Sequence, residues 1–232
     1  MKEKLKTKHY GSVFDSEQKL LKAILEIHNN NKTFDIDPMY FKGNFYKDID
    51  RPKSVFDIEP LFPFVKNADV KSLPVNSNSI NSMILDPPFM IATRKTQREY
   101  YSSRTHSYYI SFDELEQHYK GFLKEAHRVL KNGGVLVFKC QDYTDSRTIM
   151  NHCFVYQWAL EQGFYAKDLA ILNLPKNKIV NNNLIQRHLR KVHSYFWIFK
   201  KQKQVGDFCT KPKEVLNQIT TIHNDSEKNH NV

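Results

Sequence analysis

Residues 86–89, Asp-Pro-Pro-Phe, follow a short apolar run and bring together a carboxylate, carbonyl oxygens and an aromatic ring. The run Ser82–Leu85 suits a buried strand, because a parallel strand covered on both faces needs continuous apolar residues. Proline lacks the N–H that a central strand donates, so the strand must end at Asp86. Ligands bind at the carboxyl ends of strands in open α/β sheets. The segment therefore predicts a ligand site with hydrogen-bond acceptors and a stacking surface.

Asp-Pro-Pro-Phe after a buried strand resembles the catalytic motif of S-adenosylmethionine-dependent amino-methyltransferases, which methylate adenine N6 or cytosine N4. Asp at the first position resembles the adenine branch more than the cytosine branch, where Ser is usual. The base amine is a poor nucleophile, because its lone pair is delocalised into the ring. The resemblance implies that Asp86 and the Pro87 carbonyl accept the two N–H bonds and free this lone pair, while Phe89 stacks on a base taken out of its helix. The predicted catalytic residues are Asp86, Pro87, Pro88 and Phe89.

Two flanking segments extend this resemblance. Asp69 precedes Leu73-Pro74 and lies at the family's spacing from the motif, which implies a contact with the cofactor adenine. Downstream, Ser111 with Glu114 forms a capping box for a helix whose apolar spacing continues to Leu130. We expect residues 131–134, Lys-Asn-Gly-Gly, to end that helix in the left-handed conformation before the next buried strand.

The segment that should bind the rest of the cofactor departs from the family pattern. A short strand over residues 33–37 ends at Asp37, but Gly43 is the single glycine where the family usually has two or three. Asp37 and Gly43 are nevertheless the predicted contacts to the amino-acid end of S-adenosylmethionine. A second predicted strand ends in Asp57 and Glu59, either of which suits the ribose hydroxyls, and the sequence does not decide between them.

Basic residues indicate a polyanionic partner. The formal net charge is +10 and the isoelectric point is about 9.3, and phosphate neutralisation supplies most non-specific affinity for nucleic acids. Residues 90–110, predicted as a flexible loop, interleave basic and aromatic side chains, and a second basic cluster precedes the last aromatic strand. The predicted nucleic-acid-binding residues are Arg94, Lys95, Arg98, Arg104, Arg187, Arg190 and Lys191.

The alternation of helical and strand patterns predicts one Rossmann-like α/β domain, with a mainly parallel sheet and an antiparallel edge pair. We divide the chain into a basic arm and helix (1–32), a methyltransferase domain (33–203) and a polar, disordered tail (204–232). The three cysteines are scattered and lack metal-ligand spacing, which indicates a reducing cytoplasm. No apolar run reaches the length of a membrane span.

The resemblance implies methyl transfer from S-adenosylmethionine to adenine N6 in DNA, with no metal. Three alternatives stay open. The same motif suits cytosine N4, and it also suits an RNA base amine, either guanine N2 or adenine N6. The glycine-poor turn leaves room for a catalytically silent, nucleic-acid-binding subunit of a methyltransferase pair. The sequence shows no separate target-recognition domain, so a partner subunit for target recognition is a further expectation.

Overall fold

The computed structural model describes residues 9–29, 33–102, 108–144, 147–174 and 187–202. These residues belong to one compact unit, Met1–Gln202. The strands are β1 (Val13–Phe14), β2 (Ile36–Asp37), β3 (Ser54–Asp57), β4 (Lys66–Asn67), β5 (Ile80–Leu85), β6 (Leu130–Cys140), β7 (Tyr143–Thr144), β8 (Thr148–Ile149), β9 (Phe164–Asn173) and β10 (His193–Lys201). The helices are α1 (Glu17–Ile24), which continues as a π-helical turn over Leu25–Asn29, α2 (Lys95–Ser102), α3 (Phe112–Val129) and α4 (Asn151–Glu161).

Within the described part of the chain, eight strands form one sheet in the order β1-β9-β10-β6-β5-β2-β3-β4. Strands β4, β3, β2, β5 and β6 run parallel, whereas β10 is antiparallel to both β6 and β9. The predicted Rossmann-like α/β fold with an antiparallel pair is confirmed. The pair is not the outermost element, however, because β1 adds to β9 as a parallel strand.

Helices cover both faces of the sheet. On one face, α3 and α4 pack against Met83 and Leu85 of β5 and against Leu136 and Phe138 of β6. On the other face, α1 packs against the intervening Ile84 and against β6 and β10. Successive strand side chains point to opposite faces, so a strand covered on both sides must be apolar throughout. This explains the continuous apolar run that precedes Asp86.

Helix α3 begins as the sequence predicts and ends differently. The Ser111 side chain accepts a hydrogen bond from the Glu114 amide at 3.1 Å, as in half of a capping box. The Glu114 carboxylate accepts from the Ile110 amide, one residue before the cap, at 2.6 Å. At the other end Leu130 is extended, with φ −69° and ψ 139°, and starts β6 directly. The left-handed residue is Gly133, with φ +77°, which lies inside an irregular stretch of β6. The expected left-handed helix cap is therefore wrong, because the chain passes straight from the helix into the sheet.

The segment after the Asp-Pro-Pro-Phe motif is more ordered than the predicted loop. It contains helix α2, and its base is closed by backbone hydrogen bonds between Tyr109 and both Met90 and Ala92. Residues 103–107 lie outside the described part. The proposed boundary at residue 33 stays a prediction, although α1 and β1 contribute to the same sheet and core. The predicted tail, 204–232, lies outside the described residues. No described helix is long and apolar enough to cross a membrane.

Candidate active site

The central arrangement of strands places three carboxylates at one edge of the sheet. Strand β2 lies between the parallel strands β3 and β5, so all three end at the same edge. Asp37 and Asp57 are the last residues of β2 and β3, and Asp86 follows β5. A change of strand order at such a point creates a crevice for a ligand. The sheet therefore builds this site from residues distant in the sequence.

A cavity of about 770 Å³ opens at this edge. Its volume lies within the range of small-molecule and cofactor sites. It brings together these predicted site residues: Asp37, Gly43, Asp57, Asp69, Asp86, Pro87, Pro88 and Phe89. Glu59 is exposed and is not part of the lining. Of the two candidates for the ribose hydroxyls, Asp57 alone reaches the cavity.

Asp37 is almost completely buried, with 2% of its surface exposed. One carboxylate oxygen accepts a hydrogen bond from the Met39 amide at 2.9 Å, and the other accepts from the Tyr46 hydroxyl at 2.7 Å. Burial raises the pKa of Asp37 to about 7, and the nearby charges of Asp86 and Asp57 add to the rise. The carboxyl therefore changes charge near neutral pH, where a cationic ligand group would favour its ionised form.

The loop after β2 replaces the usual glycine-rich turn with a strained aromatic turn. Phe41 has a left-handed backbone, with φ +45°, which is costly for a residue with a side chain. Gly43 is also left-handed, with φ +66°, and a Cβ there would clash with the Tyr40 ring. Asp57 stabilises this turn, because one oxygen of its carboxylate accepts a hydrogen bond of 2.8 Å from the Phe41 amide. The single glycine is thus placed where the turn most needs one.

Asp57 and Asp69 both bind backbone amides. The second oxygen of Asp57 accepts from the Glu59 amide at 3.0 Å. Asp69 accepts from the Lys71 amide at 2.8 Å and lies 3.7 Å from the Lys71 ammonium. These contacts fix the two carboxylates on the wall of the cavity without burying them fully.

The Asp86 carboxylate is hydrogen bonded to a lysine. Its Oδ2 accepts from Lys139 Nζ at 2.9 Å, and the same ammonium donates to Glu17 Oε1 at 3.1 Å. Lys139 lies on β6, one residue beyond Phe138, which pairs with Leu85. The parallel register of the two strands therefore places Lys139 beside Asp86.

The carbonyl groups of the motif differ in their partners. The Tyr119 hydroxyl donates to the Pro88 carbonyl at 2.8 Å. Among the residues that the structure describes, no hydrogen bond to the Pro87 carbonyl is found. Asp86 and Pro87 both line the cavity. Phe89 lines the same cavity and is half-buried.

The predicted basic residues lie in different environments. Arg94 and Lys95 are exposed on the segment that contains α2. Arg98 is half-buried, and its guanidinium donates to the carbonyls of Ala92 and Thr93 at 3.0 and 3.2 Å. The guanidinium thus braces its own segment. Arg104 lies outside the described residues.

The second basic cluster lies just before β10. Arg187 and Arg190 are exposed, and Lys191 is half-buried. Because β10 is antiparallel to β6, with Tyr195 opposite Cys140, its first residues lie at the edge of the sheet where β6 ends. The cluster therefore lies on the same edge as the cavity.

A comparison with family models decides the family. Residues 80–231, more than half of the chain, match the model described as DNA methylase, the N6/N4 type. The chain belongs to this DNA methylase family. The match begins at Ile80, the first residue of β5, and includes the Asp-Pro-Pro-Phe motif. The half of the cavity built by β2 and β3 precedes the matched residues.

Solved structures show distant likeness. A Thermus thermophilus protein described as a candidate DNA modification methylase is 16% identical, with a TM-score of 0.41. The alignment covers 60% of this chain and 54% of that chain, so this chain spans about half of its length. The 1,6-didemethyltoxoflavin-N1-methyltransferase of Burkholderia thailandensis is 12% identical, with a TM-score of 0.49 and coverage of 82% and 80%. Comparison with curated protein sequences found no match.

The sequence alone did not reveal three side chains that contact the predicted site residues of this DNA methylase family member. Tyr46, Tyr119 and Lys139 each hydrogen bond to a predicted site residue. Tyr119 carries no sequence signal, because its spacing fits an ordinary core position of a helix, and Tyr46 is one of several aromatic residues that follow Asp37. Lys139 does carry one: it is a lysine at the end of the next predicted apolar strand after the Asp-Pro-Pro-Phe motif.

Proposed function

We propose that this chain is an S-adenosylmethionine-dependent DNA methyltransferase that acts on adenine N6. The observation that carries the proposal is that Asp86, Pro87 and Phe89 line one cavity with Asp37 and Asp57. Membership of the DNA methylase family supports the reaction class. The Asp at the first motif position supports adenine over cytosine, through the resemblance described above.

The target amine would be held by the acceptor pair of the motif. Asp86 Oδ1 and the Pro87 carbonyl would accept its two N–H bonds, so that the nitrogen lone pair turns away from the ring. These acceptors are fixed before the reaction: Lys139 holds the other oxygen of Asp86, and Tyr119 holds the Pro88 carbonyl next to Pro87. Such fixed acceptors stabilise positive charge that develops on the nitrogen. Phe89 would stack on the extruded base.

The volume of the whole cavity lies within the range of cofactor sites, and the walls of its other half suit the chemistry of S-adenosylmethionine. The cofactor supplies an activated methyl group. Asp37 and the turn at Gly43 would hold its amino-acid end, since a buried carboxyl that ionises near pH 7 suits an ammonium partner. Asp57 would hold the ribose hydroxyls, and Asp69 the adenine. Glu59 remains the less favoured ribose contact, because it lies outside the lining.

Nucleic acid would cross the edge of the sheet where the cavity opens. The exposed Arg94, Lys95, Arg187 and Arg190 would contact phosphates, with Lys191 at the margin and Arg104 as a further candidate. Phosphate contacts position a protein without reading the sequence. We therefore propose that sequence selection is weak or is supplied by a partner subunit.

Nucleoside mass spectrometry of DNA and RNA from cells that express the chain tests the proposal, because it names polymer, base and atom together. We expect N6-methyladenine in DNA with the wild type and none with Asp86→Ala. N4-methylcytosine instead would overturn the choice of base. Methylated nucleosides in RNA alone would overturn the choice of polymer. Calorimetry with S-adenosylmethionine gives the control: binding at micromolar concentration would exclude the silent subunit, which should bind no cofactor.

A further inference from the structure

Lys139 lies between two carboxylates that are distant from each other along the chain. Its ammonium donates to Asp86 at 2.9 Å and to Glu17 at 3.1 Å. Glu17 is the first residue of α1, whereas Asp86 follows β5, 69 residues later in the chain. Helix α1 lies before the residues that match the family model. The N-terminal helix thus contributes a charged group to the wall behind the motif.

The ammonium is well shielded. The side chains of Lys139 and Glu17 are 18% and 23% exposed, and Asp86 is 34% exposed. The rings of Phe45 and Phe196 lie 5.0 and 5.6 Å from Lys139 Nζ. Burial alone would lower the pKa of Lys139, but Asp86 and Glu17 outweigh it and the pKa is raised. Lys139 is therefore charged at neutral pH.

A charged lysine beside Asp86 has two opposing effects on the proposed reaction. It fixes Oδ2 and so directs Oδ1 to the target amine. It also cancels the negative charge that should face the nitrogen as positive charge develops there. Glu17 removes this second effect, because two carboxylates and one ammonium leave a net charge of −1. Asp37 accepts its hydrogen bonds from Met39 and Tyr46, and it acts on this group through charge alone: the nearby Asp86 charge contributes to the raised pKa of Asp37.

We propose that Glu17, Lys139 and Asp86 form a charge-compensated triad in which Lys139 positions the catalytic carboxylate and Glu17 restores its net negative charge. Lys139 and Glu17 are positioning residues, since they act through Asp86. This inference rests on the proposed function of the cavity. It goes further in making α1 a part of the active site.

A purely structural role would give different results from a compensating one. If the ion pairs only hold α1 against the sheet, the loss of activity in each variant should follow its loss of thermal stability, because removing one partner leaves a shielded charge unpaired. Glu17→Gln makes the triad neutral, and Lys139→Met leaves two uncompensated carboxylates. If the net charge matters for the reaction, both variants should be slow. Replacing both together restores a net charge of −1 on Asp86 alone.

The test is a double-mutant cycle on the full chain, with methyl transfer to the DNA substrate measured at saturating cofactor. We expect each single variant to lower kcat by about tenfold or more, and the double variant to recover to within about threefold of the wild type. The KM for S-adenosylmethionine should change little. Glu116→Gln, which removes a carboxylate from the ion pair with Lys120 on α3, is the matched control and should leave kcat unchanged.

Thermal melts of all four proteins accompany the kinetics. A double variant that folds but is as slow as the slower single variant would overturn the triad and leave the proposed function intact. An inactive wild type that binds the cofactor would instead overturn the proposed function. If Lys139→Met does not fold, a Glu17→Gln variant that folds and keeps the wild-type kcat overturns the compensating role by itself.

Discussion

The Tyr119 hydroxyl, on the buried face of α3, donates a 2.8 Å hydrogen bond to the carbonyl of Pro88 in the motif. The Tyr119 side chain is completely buried, and burial raises its pKa well above the usual value. The hydroxyl therefore stays protonated and remains a donor at any physiological pH. The bond ties the loop that carries Asp86 to a long, rigid helix.

Tyr119→Phe removes this bond and keeps the ring. We expect a loss of about 1 kcal/mol in the free energy of unfolding, the usual net value of one hydrogen bond. The methyl-transfer kcat should fall as well, because the Pro87 carbonyl would be held less firmly. Urea denaturation and kinetics measure the two effects. The control is Tyr156→Phe, which changes an exposed tyrosine stacked on Trp197 and should alter neither quantity. Equal effects of the two variants would contradict the prediction.

The buried Asp37 should make the stability of the protein depend on pH. Its pKa rises from 3.8 to about 7 on folding. Between these values the unfolded chain has lost a proton that the folded chain keeps, so the stabilisation is present below pH 4 and is lost as the pH rises through 7. The effect is on the order of 4 kcal/mol. Asp37→Asn should flatten the dependence of the denaturation midpoint on pH over this range.

The affinity for the cofactor should depend on pH in the opposite direction to the stability. An ammonium group favours ionised Asp37, so the affinity for S-adenosylmethionine should rise as the pH increases towards 7, by about tenfold per unit below it. Calorimetry at several pH values measures this slope. Asp37→Asn should bind weakly with no such slope, and a wild-type affinity independent of pH between 5 and 7 would contradict the contact.

The strongest sequence patterns predicted the structure well, because they report local geometry. The apolar run before Asp86 and the capped helix after Ser111 appear as β5 and α3. Each is long enough for burial or periodicity to decide its conformation. The prolines of the motif end the strand, since they cannot donate to the ladder. The sequence therefore located the carboxyl end of β5 without showing which strands lie beside it.

The partners of these elements could not be predicted in the same way. Lys139 reaches Asp86 only through the register of two strands, and that register shifts at an irregularity after Ile80. The residues of β1 pair with β9 far along the chain, and two residues carry too little pattern to show it. The end of α3 was mispredicted because Gly133 signals a left-handed residue without saying which element contains it. Non-local pairing decides all three features.

Phe89 should contribute to binding of the base and little to folding. Stacking of a base on an aromatic side chain is worth about 1–3 kcal/mol, so Phe89→Leu should weaken binding of a single-stranded oligonucleotide by roughly 5- to 150-fold. Because the side chain is half-buried and lines the cavity, the melting temperature should fall by only a few degrees. Fluorescence anisotropy measures the affinity. Phe154→Leu, on the exposed side of α4, is the control and should bind normally.

The two described arginines of the α2 segment should have different roles. We expect Arg94 to contact phosphate and Arg98 to stabilise the segment itself. Arg94 is exposed, so Arg94→Ala should weaken DNA binding and reduce the slope of log K against log salt by about one, as loss of a single phosphate contact does. Arg187→Ala should behave alike. Arg98 instead holds the carbonyls of Ala92 and Thr93, so Arg98→Ala should raise susceptibility to proteolysis within the segment and leave the salt slope nearly unchanged. Lys124→Ala, exposed on α3, is the control for non-specific charge loss. A salt slope that falls equally in Arg98→Ala and Arg94→Ala would show that Arg98 meets phosphate as well.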